Sequence, residues 1–379
     1  MNICVYSYYF YPVAGGLQTF TKGLAKDLTR RGTRVTLVTE TNRQSVNQDF
    51  RFRVIRTPRI KELSSIISNS DVIHLNGFAL KIVFLALLHR KPIIWTHHEY
   101  DSICPIGIGW NDNSSCSFGL FRCALCMRRR GMTKRISKRF ACLLLRKIAG
   151  RLVRYNVNPS SYIASRQNLP CSVVIPHGVE VSEFRPSGDG DGPEAFLFLG
   201  RLIGIKGIDV LIRAANRCVS QGYPVKVSIC GEGPDKKRLK MIAKALMLEQ
   251  NICFKDYVYG DQLVNEINKS LAIVVPSLWD EVFGFVALEA MSCGKVVIAS
   301  DVGGLTELVR PVGLLFERGN TNALADQMIE VWTKKELRKT LELKARRHAQ
   351  SFHSWEIIGN QYLRLYYQCK ANRGNKSDT

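Results

Sequence analysis

Short apolar segments alternate with helix-length amphipathic ones along nearly all of this chain, and that rhythm leaves few folds open. Residues 3–6, 34–39, 52–56, 72–75 and 93–96 read as strands. Residues 19–31, stopped by Gly32, carry helical spacing, as do residues 60–68 and 78–88. Strands separated by helices pair in parallel, because a parallel neighbour needs a crossover long enough to hold a helix. A second alternation has strands at 195–199, 225–229, 252–254, 272–275 and 296–299, with helices at 208–219, 235–246 and 261–269. The expected fold is therefore α/β, with two doubly wound halves. At 379 residues the chain exceeds one typical core, so two domains are expected, residues 1–187 and 193–350. The Gly-rich SGDGDGP at 187–193 has little to bury and reads as the hinge. A helical tail at 352–370, with Trp355, Tyr362 and Tyr366, is expected to pack back on the first domain.

The chain is 46% hydrophobic, which fits a folded protein. No charged segment followed by a long apolar run opens it, and the apolar run at 80–88 falls short of the roughly 18 residues a membrane span needs. A cytoplasmic protein is expected, with its twelve cysteines mostly reduced. The net charge of +22 is uneven: residues 1–190 hold 28 Lys/Arg against 11 Asp/Glu, and no acid stands between Asp112 and Glu180. Such a field selects anionic partners, whether nucleic acid, an anionic membrane leaflet or an anionic substrate. Nucleic acid is disfavoured, since the basic stretch from Arg128 to Arg154 offers mainly Phe140 and the following Tyr155 for stacking.

The segment PSLWDEVFGFVALEAMSCGKVVIASDVGGLTE (276–307) carries the most chemistry. Glu281 and Glu289 stand eight positions apart around a helix start, with Phe283 and Gly284 between them. Free N–H groups and the helix dipole favour an anion there. FLGRLIGIKG (198–207) ends a strand and opens a helix, placing Arg201 and Lys206 at a glycine-lined strand end. A planar fork and a point charge together fit a diphosphate. CGEGP, with Gly231, and YPVAGG, with Gly15 and Gly16, are further strand-end turns that admit close backbone approach.

Taken with DVIHLNG (71–77), THHEYDSICP (96–105) and VIPHGVEVSEFRP (174–186), these pieces resemble retaining glycosyltransferases of the GT-B fold, specifically the family 4 group. The resemblance runs from Asn2 to about Gln368. It implies two Rossmann-like domains facing each other across a cleft, the first binding acceptor and the second a nucleotide-sugar donor. It further implies that Arg201 and Lys206 neutralise the departing diphosphate. Glu281 and the Phe283 and Gly284 amides would contact the transferred sugar, and Glu289 the ribose hydroxyls. Gly15 and Gly16 would approach phosphate or acceptor, and Tyr257 and Val258 would lie beside the base. His98 matches a histidine beside the donor sugar, with its neighbour His97 the alternative in His97-His98-Glu99. Asp256 replaces a frequent glycine and clouds nucleotide preference. No metal or other cofactor is expected, and Asp189 and Asp191 in the hinge are not expected to hold one. The acceptor class implied is a glycan or lipid-linked precursor. An epimerase, a phosphorylase or a basic nucleic-acid-binding protein are the alternatives, and product that forms only with an acceptor discriminates the transferase.

Two further features stand outside the motif set. Cys104, Cys116, Cys123 and Cys126 include one C-x2-C and could make a zinc site. The spacing is half right, so a free-thiol loop is the favoured reading. In the basic stretch Ile136, Phe140, Leu143, Leu144, Ile148 and Leu152 recur at helical spacing among Lys138, Arg139, Arg146, Lys147 and Arg151. One reading is a packing helix with a solvated basic face; the other is a surface docking on anionic lipid.

Overall fold

The computed structural model describes residues 1–12, 15–42, 50–111, 114–116, 118–187 and 195–374. The chain divides into two compact units, Met1–Gly178 with Trp355–Thr379, and Val179–Ser354. It thus changes unit at Gly178, ahead of the Gly-rich hinge, most of which lies outside the described residues together with Asp189 and Asp191.

The first unit is built on strands β1 (Asn2–Ser7), β2 (Arg34–Thr39), β3 (Arg53–Arg56), β4 (Val72–Asn76) and β5 (Ile93–Thr96), then a hairpin of β6 (Trp110–Asn111) and β7 (Ser114–Ser115), and β8 (Tyr155–Asn158) and β9 (Ser172–Val174). Seven of them form a parallel sheet in the order β3-β2-β1-β4-β5-β8-β9. Every residue of β4 and β5 is buried, as expected for strands covered by helices on both faces. The tail expected at 352–370 is two pieces. Extended backbone at Ser354 separates helix Lys335–His353, in the second unit, from helix Trp355–Gly374, in the first. Trp355 is buried in space that the missing side chains of Gly23 and Gly178 leave open, and its ring packs against Phe20. Further along, Tyr366 Oη sits 2.5 Å from Nδ1 of buried His74 on β4, whose Nε2 meets Thr96 Oγ1 at 2.8 Å. Burial holds this imidazole neutral, with its pKa lowered to about 3.

The second unit carries β10 (Ala195–Leu199), β11 (Lys226–Cys230), β12 (Ile252–Lys255), β13 (Ser270–Val275), β14 (Val296–Ser300) and β15 (Leu314–Phe316), a six-stranded parallel sheet ordered β12-β11-β10-β13-β14-β15. Period-two alternation assigns its faces. Phe196 and Phe198 join one core with Val227, Leu324 and Met328, while Leu197 and Leu199 join the other with Ile273, Leu288 and Leu305. Burying each such side chain contributes about 1.5–3 kcal/mol.

In both sheets the strand order reverses once, between β1 and β4 and between β10 and β13. Ligands of open parallel sheets bind beyond the strand C-termini at that reversal.

The basic stretch is helix Leu120–Arg129, a short turn Thr133–Arg135 and helix Ile136–Leu152. The expected apolar stripe does not pack inward as a set. Leu143, Ala149 and Gly150 are buried, whereas Leu144, Ile148 and Leu152 are 60%, 45% and 54% exposed. Small residues on the neighbouring face let the helix approach the protein there, and the larger side chains are left outside. No helix among the described residues is long and apolar enough to cross a membrane.

Candidate active site

In the second unit the loops after β10 and β13, the two strands flanking the reversal, meet. Arg201 follows β10 and is exposed, and Lys206 closes a short 3-10 turn, Gly204–Lys206. Gly207 makes the meeting feasible. It has φ +66°, and a Cβ there would overlap the Pro276 carbonyl oxygen. Lys206 Nζ then donates to Glu281 Oε1 at 2.6 Å, and Ser277 Oγ donates to the same oxygen at 2.6 Å. Burial alone would raise the Glu281 carboxyl. The Lys206 charge, with hydrogen bonds from Lys206, Ser277 and Trp279, outweighs burial and holds it below the usual carboxylate range.

Eight residues on, Glu289 has the opposite state. Helix Phe285–Ser292 begins after Gly284 and buries Glu289 on its second turn. Burial pushes its carboxyl up to about 8. The two acids of one motif are thus an anion and a neutral acid at pH 7. Tyr257 lies close enough that Glu289 adds to the upward push that burial gives its phenol. Val258 packs on the core beneath the same helix. Gly231, following β11, abuts Gly200 so closely that a Cβ would overlap the Gly200 carbonyl oxygen. The structure therefore gathers Lys206, Glu281, Phe283 and Gly284 on the loops beside the reversal, and Tyr257, Val258 and Glu289 as a second group.

The first unit has its own constellation. Gly15 precedes helix Gly16–Arg30 after β1, Asn76 ends β4, and His98 follows β5. Asn76 and His98 line a cavity of about 270 Å3, with Tyr8, Tyr9, Trp95, His97 and Asp101 among others. His98 Nε2 is 3.3 Å from Asn76 Oδ1, and its ring stacks on His177 with centroids 5.0 Å apart. Burial, then the neighbouring His177, His74 and His97, hold His98 neutral well below the ordinary histidine range. His97 differs: it is buried and its Nε2 pairs with Asn156 Oδ1 at 2.9 Å, tying β5 to β8.

Sequence reading missed Ser277, Trp279, Asn76 and His177. Each lies inside a quoted motif, but a serine or asparagine carries no signal until its partner's position is known. Arg318, which pairs with buried Asp280 next to Glu281, comes from a distant loop.

Residues 181–348 match the family described as Glycosyl transferases group 1, and residues 14–183 match Glycosyltransferase Family 4. A D-inositol 3-phosphate glycosyltransferase of Rhodococcus erythropolis is 32% identical over 222 residues, 53% of this chain and 49% of that protein. The chain thus spans about half the length of that relative. An uncharacterized glycosyltransferase of Methanocaldococcus jannaschii is 26% identical over 97% of this chain and 98% of its own length. Among solved structures, Anabaena HepE in complex with UDP superposes with a TM-score of 0.77 at 17% identity, covering 97% of this chain and 100% of that one. The same protein is also known in complex with UDP-glucose.

Proposed function

Because this chain is a GT-B glycosyltransferase of group 1 and family 4, we propose that it moves a sugar from a nucleoside-diphosphate sugar to a glycan or lipid-linked acceptor with retention of configuration. The observation that carries this reading is the Lys206–Glu281 pair at 2.6 Å on the loops flanking the sheet reversal, one of which also carries Arg201. Breaking the bond between the anomeric carbon and the diphosphate oxygen leaves negative charge on phosphate and positive charge on carbon. Arg201 and Lys206 stabilise the phosphate; Glu281, held ionised, faces the sugar with the Phe283 and Gly284 amides. The acceptor hydroxyl forms the new bond on the face that the diphosphate leaves and gives its proton to the departing phosphate, so no metal is required. Glu289, neutral before the donor arrives, can both donate to and accept from the ribose hydroxyls, and Tyr257 with Val258 borders the base. Gly15 and Gly16 keep the helix start open to phosphate or acceptor, and His98 receives the sugar as a neutral donor–acceptor ring.

Uridine diphosphate is the nucleotide proposed first, since HepE binds it. The test is a thermal-shift panel of nucleotide sugars followed by assay with candidate acceptors. One donor at a hundred times its dissociation constant is expected to stabilise the protein by about 2.7 kcal/mol. Absence of a shift with every nucleotide sugar overturns the reading.

The exposed Leu144, Ile148 and Leu152, with Lys138, Arg139, Lys147 and Arg151 on the same helix, favour an acceptor presented at an anionic membrane. Each base near the surface contributes about 1 kcal/mol. Cosedimentation with phosphatidylserine vesicles is expected at low salt and lost at high salt. If anionic vesicles pull down no more protein than neutral ones, the membrane assignment is wrong.

A further inference from the structure

The cavity of the first unit lies where β1, β4 and β5 end, at the reversal of strand order. Its charged lining runs against the composition around it. Residues 1–190 hold 28 Lys/Arg and 11 Asp/Glu. Among the described residues, however, the cavity is lined by two acids, Glu99 and Asp101, and one base, Arg146. Gly107 leaves room for both acids. It has φ +75°, and a Cβ there would stand 3.0 Å from Glu99 Oε2 and 3.1 Å from Asp101 Oδ1.

Arg146 belongs to the basic helix Ile136–Leu152, but its guanidinium lies over the Phe78 ring, 5.7 Å from the centroid. There it forms an open pair with Asp101. Nη1 is 3.5 Å from Asp101 Oδ1 and 3.5 Å from the Asp101 carbonyl oxygen. A closed charge-assisted bond measures about 2.7–2.9 Å. Burial raises the Asp101 carboxyl, and the Arg146 charge offsets only part of that rise. Both groups therefore keep hydrogen-bonding capacity, the guanidinium as donor and the carboxylate as acceptor. A hydroxyl serves both, since it accepts and donates. A phosphate ester offers acceptor oxygens and negative charge, and it would meet two carboxylates here.

The rest of the lining suits the same class of ligand. Tyr8 and Tyr9 are each about half-exposed, with rings nearly perpendicular and centroids 4.6 Å apart. Phe78 and Trp95 line the cavity with them. Aromatic faces cover the C–H surface of a sugar ring, while phenol tips reach its hydroxyl rim. Ligand pockets usually run to about 300–1,000 Å3. At about 270 Å3 this one takes a single ring, not an extended glycan. We propose that the cavity is the subsite for one uncharged sugar or cyclitol ring of the acceptor, with Arg146 and Asp101 as the residues that select it through its hydroxyls. The proposal rests on the reading of the chain as a transferase whose first unit takes the acceptor. It names the part of the acceptor that this unit holds: the polyol ring, not an anionic group.

The test titrates the full chain, with no nucleotide present, against a panel of methyl glycopyranosides and myo-inositol, read by ligand-observed NMR. At least one member is expected to bind. Arg146→Met and Asp101→Asn should each weaken that binding about tenfold or more, the loss expected for a hydrogen bond to a charged group. Tyr9→Ala, a change at a half-exposed position, should weaken it too and gives a reading where a change at the ion pair disturbs folding. Lys147→Met, at the next position of the same helix, should bind as wild type does. Inorganic phosphate and glycerol phosphate should not compete. Absence of binding by every neutral ring, binding that all three cavity variants leave unchanged, or phosphate competition that Arg146→Met abolishes each overturns the subsite. Because no donor is used, these titrations stay readable if every nucleotide sugar fails to bind, so the two readings fail separately.

Discussion

Replacing Lys206 by Ala is expected to lower transfer by about two to three orders of magnitude, the loss typical when one preorganised charge is removed from a developing oxyanion. The same change should cost stability, because Glu281 is buried and Lys206 donates to it at 2.6 Å. Breaking a buried pair from one side leaves a charge with too few partners and costs up to about 3–5 kcal/mol. Since Lys206 keeps 22% of its side chain exposed, water recovers part of that. The two effects separate in a double variant. Lys206→Met combined with Glu281→Gln removes both charges, so its melting temperature should recover toward wild type while activity stays lost. Steady-state rates and melting curves of the single and double variants check this. Near-normal turnover in Lys206→Ala and Glu281→Gln would sink the site assignment.

Changing Glu289 to Gln is expected to alter the pH dependence of stability, with a sign that follows from its raised pKa. In the folded protein the carboxyl stays protonated up to about 8, against an ordinary value of 4.5. Between those values the folded state binds more protons than the unfolded one, so stability falls as pH rises through that window and then levels. Each pH unit is worth about 1.4 kcal/mol at most for one such group. The Gln variant lacks this slope. It should match wild type near pH 5 and exceed it by up to a few kcal/mol near pH 9. Melting temperatures of both proteins across that range provide the measurement, and taking their difference cancels every other titrating group. Parallel curves would show that Glu289 is ionised in the fold. The Gln variant should also bind a nucleotide sugar about tenfold more weakly, the cost of one poorer hydrogen-bonding partner at the ribose.

The opposite protonation of Glu281 and Glu289 also shows where sequence reading stops. Both acids were legible as candidates from their spacing around a helix start. Their states depend on Lys206, seventy-five positions upstream of Glu281, and on burial at Glu289. Ser277 and Asn76 were overlooked for the same reason, since their hydrogen bonds to Glu281 Oε1 and His98 become visible only once the loops are placed. The basic helix shows the same limit. Helical spacing identified its apolar residues, but whether Leu144 or Leu143 turns inward depends on the protein it packs against.

By itself the sequence determined the repeating strand–helix order, the parallel sheets that this order requires, and the strand-end turns bearing Arg201, Lys206, Glu281 and His98. Those follow from local causes: side-chain period, glycine conformational freedom and crossover length. Only the tertiary structure decided that the chain changes unit at Gly178 and returns at Trp355, that the loops after β10 and β13 meet, and that Lys206 reaches Glu281. Each of these is a contact between residues far apart in the chain, and its existence depends on strand order and packing, which no local pattern encodes.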